Sequence, residues 1–381
     1  MSKNTFSQVI FNSSNNKTTR LGFSLGKYTN TKPVTGDTIA TGCTRGIGSI
    51  KRIQTYINRH PVATTTVTNP PVYSISSWNT VNPLNNSLGN WFNVVCNNSG
   101  QYVYLTNPNI LTPSIWVSDD YGVSFTESLY NGSYHNYSNI AVDSSGDYIL
   151  CPAIRDLIFN STDYGVTIGS TSDPGGFWWV PAMNNDGSVA CIAKNFNNSG
   201  GSTPNPIFIS TNQSLFSVSL KGLYCSWSSV AMNSVGNFIV VCSYDGYVYY
   251  TTNTGSSWTN FNLPQYCWSS VTVNSTGTNI GVCSLDGYIY VSTNGGGSWS
   301  SCAPSNQTWS SIYIANNTNL ILACAINDNI YYSSNYGTSW LSTSPNGIPC
   351  NWSSICCSDD GNYVYACVNG GNIYTTTTSS T

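Results

Sequence analysis

Side chains suited to acid–base or nucleophilic chemistry are scarce in this sequence of 381 residues. Charged residues make up 7% of it, with one glutamate, Glu127, and two histidines, His60 and His135. General acid–base catalysis draws mostly on His, Glu and Asp, so aspartates would have to carry it. Asp143, Asp147, Asp156, Asp173 and Asp186 are the candidates for a hydrolase built on two opposed carboxylates about 5–10 Å apart, and no motif pairs them. The 14 cysteines contain no Cys-x-x-Cys pair, and so little histidine removes the usual zinc ligand sets. Asp245 and Asp286 precede glycines without the dense oxygen-ligand spacing of a calcium loop. No catalytic residue, cofactor or metal site is expected.

The charges are 12 Lys plus Arg against 15 Asp plus Glu, a net of -3. That is too little positive charge for the usual nucleic-acid surface. Nothing resembling a signal peptide follows Met1, and no apolar run is long enough to span a bilayer. Neither nucleic-acid binding nor membrane insertion is expected. With 40% hydrophobic and 13% aromatic residues, the composition is that of a folded chain.

What must position these side chains is a repeat. Trp227-Ser-Ser-Val, Trp268-Ser-Ser-Val, Trp309-Ser-Ser-Ile and Trp352-Ser-Ser-Ile recur at intervals of 41, 41 and 43 residues. Each opens a short run with alternating apolar positions. A turn follows, such as Asn233-Ser-Val-Gly236 or Asn274-Ser-Thr-Gly277, then two further runs separated by Tyr244-Asp-Gly246, Leu285-Asp-Gly287 or Asn369-Gly-Gly371. Asp-Gly and Asn-Gly between β-rich runs mark hairpins. A period near 40 with about four strands is that of a propeller blade. Looser copies begin at Trp91, Tyr137 and Trp178, which makes seven units. The fold expected is all-β, a seven-bladed propeller of four-stranded antiparallel blades over residues 71–381.

The seventh unit lacks its last strand: after Cys367 one run, Asn372-Ile-Tyr-Thr375, precedes a Thr- and Ser-rich end. Residues 71–80, with Val72-Tyr-Ser-Ile75, are expected to supply the missing outer strand and so close the ring. Residues 1–70 stand outside the repeat and carry nine Lys and Arg against one acid, Asp37. An ordered extension, an arm joining protomers into a homo-oligomer or larger assembly, and an attachment tail for an acidic surface are the open readings.

A second motif closes the third runs. It reads Ser118-Asp-Asp120-Tyr-Gly122-Val-Ser124-Phe125, then Ser161-Thr-Asp163-Tyr-Gly165. Later copies hold Asn in place of Asp: Asn253, Gly255 and Trp258; Asn294, Gly296 and Trp299; Asn335, Gly337 and Trp340. This resembles the Asp-box, or BNR, repeat of sialidase-like propellers, and is similar to repeats of photosystem II assembly factors, sortilin-type ectodomains and xyloglucan-acting glycosidases. The resemblance spans about residues 75–381 and implies the propeller fold. A sialidase would further imply an arginine cluster, yet the repeat region holds only Arg155. The Asp or Asn is expected to bond backbone donors of its turn, the Gly to allow the reversal and the aromatic to anchor it.

Cys242, Cys283, Cys324 and Cys367 each fall 15 residues after their opening tryptophan, with Cys151 and Cys191 in similar places. They are expected to be buried, reduced thiols. Trp91, Tyr137, Trp178, Trp227, Trp268, Trp309 and Trp352 are candidates for ligand contact or for blade packing. The function that fits this inventory is non-catalytic: a structural or recognition propeller for a glycan or protein partner, on a virion or cell surface. A xyloglucanase-like hydrolase and an assembly scaffold are the alternatives.

Overall fold

The computed structural model describes residues 72–84, 88–108, 114–128, 135–137, 139–171, 176–194, 206–212, 217–220 and 225–380. The basic segment 1–70 and the 195–205 insertion lie outside them. Apart from one short 3-10 turn, Pro345–Gly347, every regular element described is a strand.

The strands fall into antiparallel sheets in chain order. The Trp227 unit shows the pattern: Trp227–Met232, Ile239–Ser243, Val248–Thr251 and Thr259–Asn260 pair each with the next. The Trp268 unit repeats it with Trp268–Val273, Ile280–Ser284, Ile289–Ser292 and Ser300–Ser301. Second strands such as Ile239–Ser243 are buried along their whole length. A strand covered on both faces has no solvent side to make polar, so it reads as a continuous apolar run.

Apolar side chains collect between consecutive units. One cluster joins Val180 and Ile209 to Trp227 and Val241. The next joins Val240 and Cys242 to Trp268 and Val282, and another joins Cys283 and Val291 to Trp309 and Ala323. Cys356, Tyr365 and Cys367 of the last unit pack on Trp91, Val94 and Leu105 of the first. The succession therefore returns to its start, and each blade is buried by its two neighbours. The fold is a β-propeller.

Its closure is made by residues N-terminal to the repeat. Tyr73–Ile75 pairs with the final strand in the register Tyr73↔Ser380, Ser74↔Ser379 and Ile75↔Thr378, and Asn79–Val81 pairs lower on the same strand. Tyr73 and Ile75 point into the core beside Leu320 and Trp352. One expectation needs correction here. The final strand does not stop at Thr375 but runs Ile373–Ser380 through the Thr- and Ser-rich end. Thr is a good strand former, and pairing on both edges supplies what the sequence lacks in hydrophobicity.

Candidate functional site

The recurring Trp-Ser-Ser proves to be a β-bulge. Trp227 lies opposite Ser243 and Ser229 opposite Cys242, so Ser228 is the extra residue without a ladder place. The same register shift occurs at Trp268, Trp309 and Trp352. A bulge leaves one residue unpaired, and here its hydroxyl compensates. Ser228, Ser269, Ser310 and Ser353 each donate to the carbonyl of the cysteine 14 residues on, at 3.1–3.2 Å, and sit within 3.1–3.4 Å of its sulfur. Ser269 Oγ also reaches the carbonyl of Trp309 in the next blade, and Ser353 Oγ that of Trp91. The constant spacing of Ser and Cys was visible in the sequence; the bulge that explains it was not.

Trp91, Trp227, Trp268, Trp309 and Trp352 are at most 1% exposed, and Tyr137 is fully buried. Those rings pack blades and are out of a ligand's reach. Trp268 Nε1 donates to the Gly246 carbonyl and Trp352 Nε1 to that of Asp328, each in the hairpin of the preceding blade. The backbone of Trp178 lies in the strand Gly176–Met183; its side chain is outside the described residues.

The first strands surround an axial cavity of about 420 Å³. At the end where the second and third strands turn, Tyr244, Leu285, Ile326 and Asn369 line it. Each stands 17 residues after its opening tryptophan. The framework around them is constant, whereas this position holds a phenol, two branched alkyl groups and an amide. Tyr244 is 36% exposed, and burial of its hydroxyl end, with the thiols of Cys242, Cys267 and Cys283 nearby, pushes its pKa up to about 12. It is a neutral phenol at any physiological pH.

At the other end of the strands lie the Ser/Thr-x-Asp/Asn-x-Gly turns. Ser118 Oγ donates to Asp120 at 2.8 Å and accepts the N–H of Gly122 at 2.9 Å; Asp120 accepts the N–H groups of Val123 and Ser124 and the Ser124 hydroxyl. Ser161, Asp163 and Gly165 repeat this arrangement. Burial opposes ionisation of Asp120 and Asp163, but the hydrogen bonds outweigh it and hold both carboxyls below their ordinary value. In the later copies the amides of Asn253, Asn294 and Asn335 donate to Ser257, Ser298 and Ser339. The glycine must be left-handed, with φ +77° at Gly122; Gly255, Gly296 and Gly337 share this sign. Phe125, Trp258, Trp299 and Trp340 pack, partly buried, on inter-blade clusters. These residues hold turns.

Several other aspartates are similarly engaged. Ser145 Oγ lies 2.8 Å from Asp143 and 2.7 Å from Asp147, and Asp143 also accepts the Gly146 N–H at 2.7 Å. Burial raises the Asp143 pKa, while the Ser145 hydroxyl lowers that of Asp147. Asp186 is lowered by the Ser188 hydroxyl and N–H. These three carboxylates line one shallow cavity of about 570 Å³. Asp245 and Asp286 accept the N–H groups of Ser226 and Cys267. Asp173 and the side chain of Asp156 lie outside the described residues. Among those residues, no group of three or more His, Cys, Asp or Glu is arranged to hold a metal, and no helix is long and apolar enough to cross a membrane.

No family model and no curated protein matches the chain. Solved structures do. "YCF48 bound to D1 peptide" is 13% identical with a TM-score of 0.62, over 82% of this chain and 100% of that one. YCF48 from Cyanidioschyzon merolae is 12% identical with a TM-score of 0.60, over 79% and 99%. The WD40 repeats of RRP9 are 11% identical with a TM-score of 0.66, over 81% and 100%. At such identities the likeness is one of fold, and it is to β-propellers.

Proposed function

We propose that this chain is a non-catalytic, seven-bladed propeller that binds a protein partner, taking an apolar segment of it at the axial mouth formed by Tyr244, Leu285, Ile326 and Asn369. The observation that carries this reading is the contrast within the repeat. Trp, Ser and Cys are held constant where they build the bulge, while the position facing the mouth varies and is mostly apolar. The cavity behind the mouth is lined by serines and asparagines as well as by apolar groups, so the branched alkyl groups at the mouth are where an apolar side chain would insert. A neighbour in fold was solved with a peptide bound, which makes a peptide a reasonable class of partner. The acids support it from the other side, since Asp120, Asp143, Asp163 and Asp186 are bonded within their own turns. On this reading the recurring turns are structural Asp-boxes, and residues 1–70 serve attachment or assembly at a particle or cell surface.

The test is selection from a random-peptide display library on the full chain. Enriched sequences sharing an apolar residue, with binding lost in Leu285→Asp and Ile326→Asp, support the reading. No enrichment, or binding indifferent to both substitutions, refutes it.

A further inference from the structure

The residue between Asp or Asn and Gly in the recurring turns is left-handed in several copies, with φ of 61°, 62° and 53° at Tyr121, Tyr164 and Tyr336. This conformation is uncommon for a bulky residue, and it delivers two of the rings onto the preceding blade. Tyr164 stacks on Tyr102 with ring centroids 4.5 Å apart, and Tyr121 lies on Tyr363 at 4.6 Å. Tyr102 and Tyr363 occupy one repeat position, five residues beyond Asn97 and Ser358, which open their turns.

At Tyr336 the corresponding position of the preceding blade, five residues beyond Asn274, holds Asn279. Tyr336 is 38% exposed, and no ring among the described residues stacks on it. In the place of the missing ring is a cleft of about 360 Å³, lined by Asn279, Asn317, Thr318, Asn319 and Tyr336 among others. Asn279 is 9% exposed and Asn319 3%. Among the described residues Asn319 Oδ1 is buried without a hydrogen-bond partner, while Asn317 is exposed at the rim. A buried polar group without a partner is costly, so a nearly buried amide lining a cleft is poised for a ligand's polar group. Tyr336 also walls a second groove of about 820 Å³, with Thr338, Ser339 and Trp340. No Asp, Glu, Lys or Arg lines either cavity.

We propose that the Tyr336 cleft binds a neutral saccharide. An aromatic platform takes the C–H face of a sugar ring, and the amides of Asn279 and Asn317 offer donors and acceptors to neighbouring hydroxyls, whereas the Asn319 NH2 is already given to the Ser334 carbonyl. The absence of ionic side chains selects against charged ligands. The adjoining groove, with its hydroxyls and Trp340, continues the same chemistry for a second sugar unit. This site is separate from the axial mouth: Tyr336 follows the strand Ile330–Ser333, whereas Ile326 lies before it, at the opposite end.

The experiment is calorimetric titration of the full chain with three neutral probes: maltotetraose, cellotetraose and chitotetraose. Saturable binding of at least one is expected. Tyr336→Asn, a residue that tolerates positive φ, should weaken it about tenfold. Asn279→Tyr restores the ring found at Tyr102 and Tyr363, so it should abolish binding while leaving the thermal midpoint unchanged or higher. No heat with any probe, or binding that survives Asn279→Tyr in a folded protein, overturns the proposal. So does displacement of the bound tetraose by a library-selected peptide, which would make the cleft part of a protein interface.

Discussion

Ser353 Oγ donates to the main-chain carbonyl of Trp91 at 2.8 Å, across 262 positions of the chain. The identical bond joins Ser269 to Trp309 between two adjacent blades. The seam between the end of the repeat and its beginning is thus closed by the contact that operates within it. Backbone bonds reinforce the seam at the opposite end of the strands, where Asp359 donates to Asn98 just as Asn98 donates to Ser144 and Ser144 to Asn185.

Ser353→Ala removes the donor to both the Trp91 and Cys367 carbonyls. A partly buried bond of this kind contributes about 1 kcal/mol, so urea unfolding should show a loss of about that size. Ser269→Ala should lose a similar amount, because its bonds to Cys283 and Trp309 are the same. A loss at Ser269 with none at Ser353 would show that the seam is not closed in solution.

Removing residues 1–71 should leave the propeller folded, and removing residues 1–82 should not leave it unchanged. The longer deletion strips the last blade of Tyr73–Ile75 and Asn79–Val81. It also exposes what Tyr73 and Ile75 cover, and each such side chain stabilises by about 1.5–3 kcal/mol. Protease resistance and thermal midpoints of the two truncations separate these outcomes. Equal resistance would refute the closing role.

Acid should act on the turns that hold Asp and spare those that hold Asn. Asp120 and Asp163 have folded pKa values below their ordinary one. Their stabilisation is therefore present above the unfolded value of about 3.9 and is lost as pH falls through the lower folded value. Asp143 and Asp359 are raised by burial, so they oppose this trend: acid relieves their charge penalty. The double variant Asp120→Asn, Asp163→Asn should consequently lose less stability on acidification than the parent. Asn already serves at positions 253, 294 and 335, so the variant should fold. Identical pH profiles would show that the two carboxylates contribute nothing through their charge.

The described cysteines are all free thiols. Cys151, Cys191, Cys242, Cys283, Cys324 and Cys367 are buried, and burial raises the pKa of each, to about 12 for Cys242, Cys324 and Cys367. The thiolate is the reactive form, so native alkylation near neutral pH should spare these six and denaturation should expose them. Intact mass before and after unfolding provides the count. Disulfides among the six would contradict the packing.

The sequence by itself determined the period, the turns, the closing strand and the reading of the acids as turn residues. A blade is one supersecondary unit, so its Trp, its Asn-Gly and Asp-Gly turns and its Ser/Thr-x-Asp/Asn-x-Gly motif recur along the chain at fixed spacing. What lies between blades is set by residues about 40 positions apart, and no local pattern reports it. Only the tertiary structure showed that the first Ser of Trp-Ser-Ser is a bulge bonded to a distant cysteine, or that the tryptophans are sealed from solvent. It alone turned the Thr-rich end into a strand, by pairing it on both edges. The same reason hides the Tyr336 cleft: Asn279 is an unremarkable asparagine in one repeat until the next blade brings a tyrosine to the place where a ring is missing.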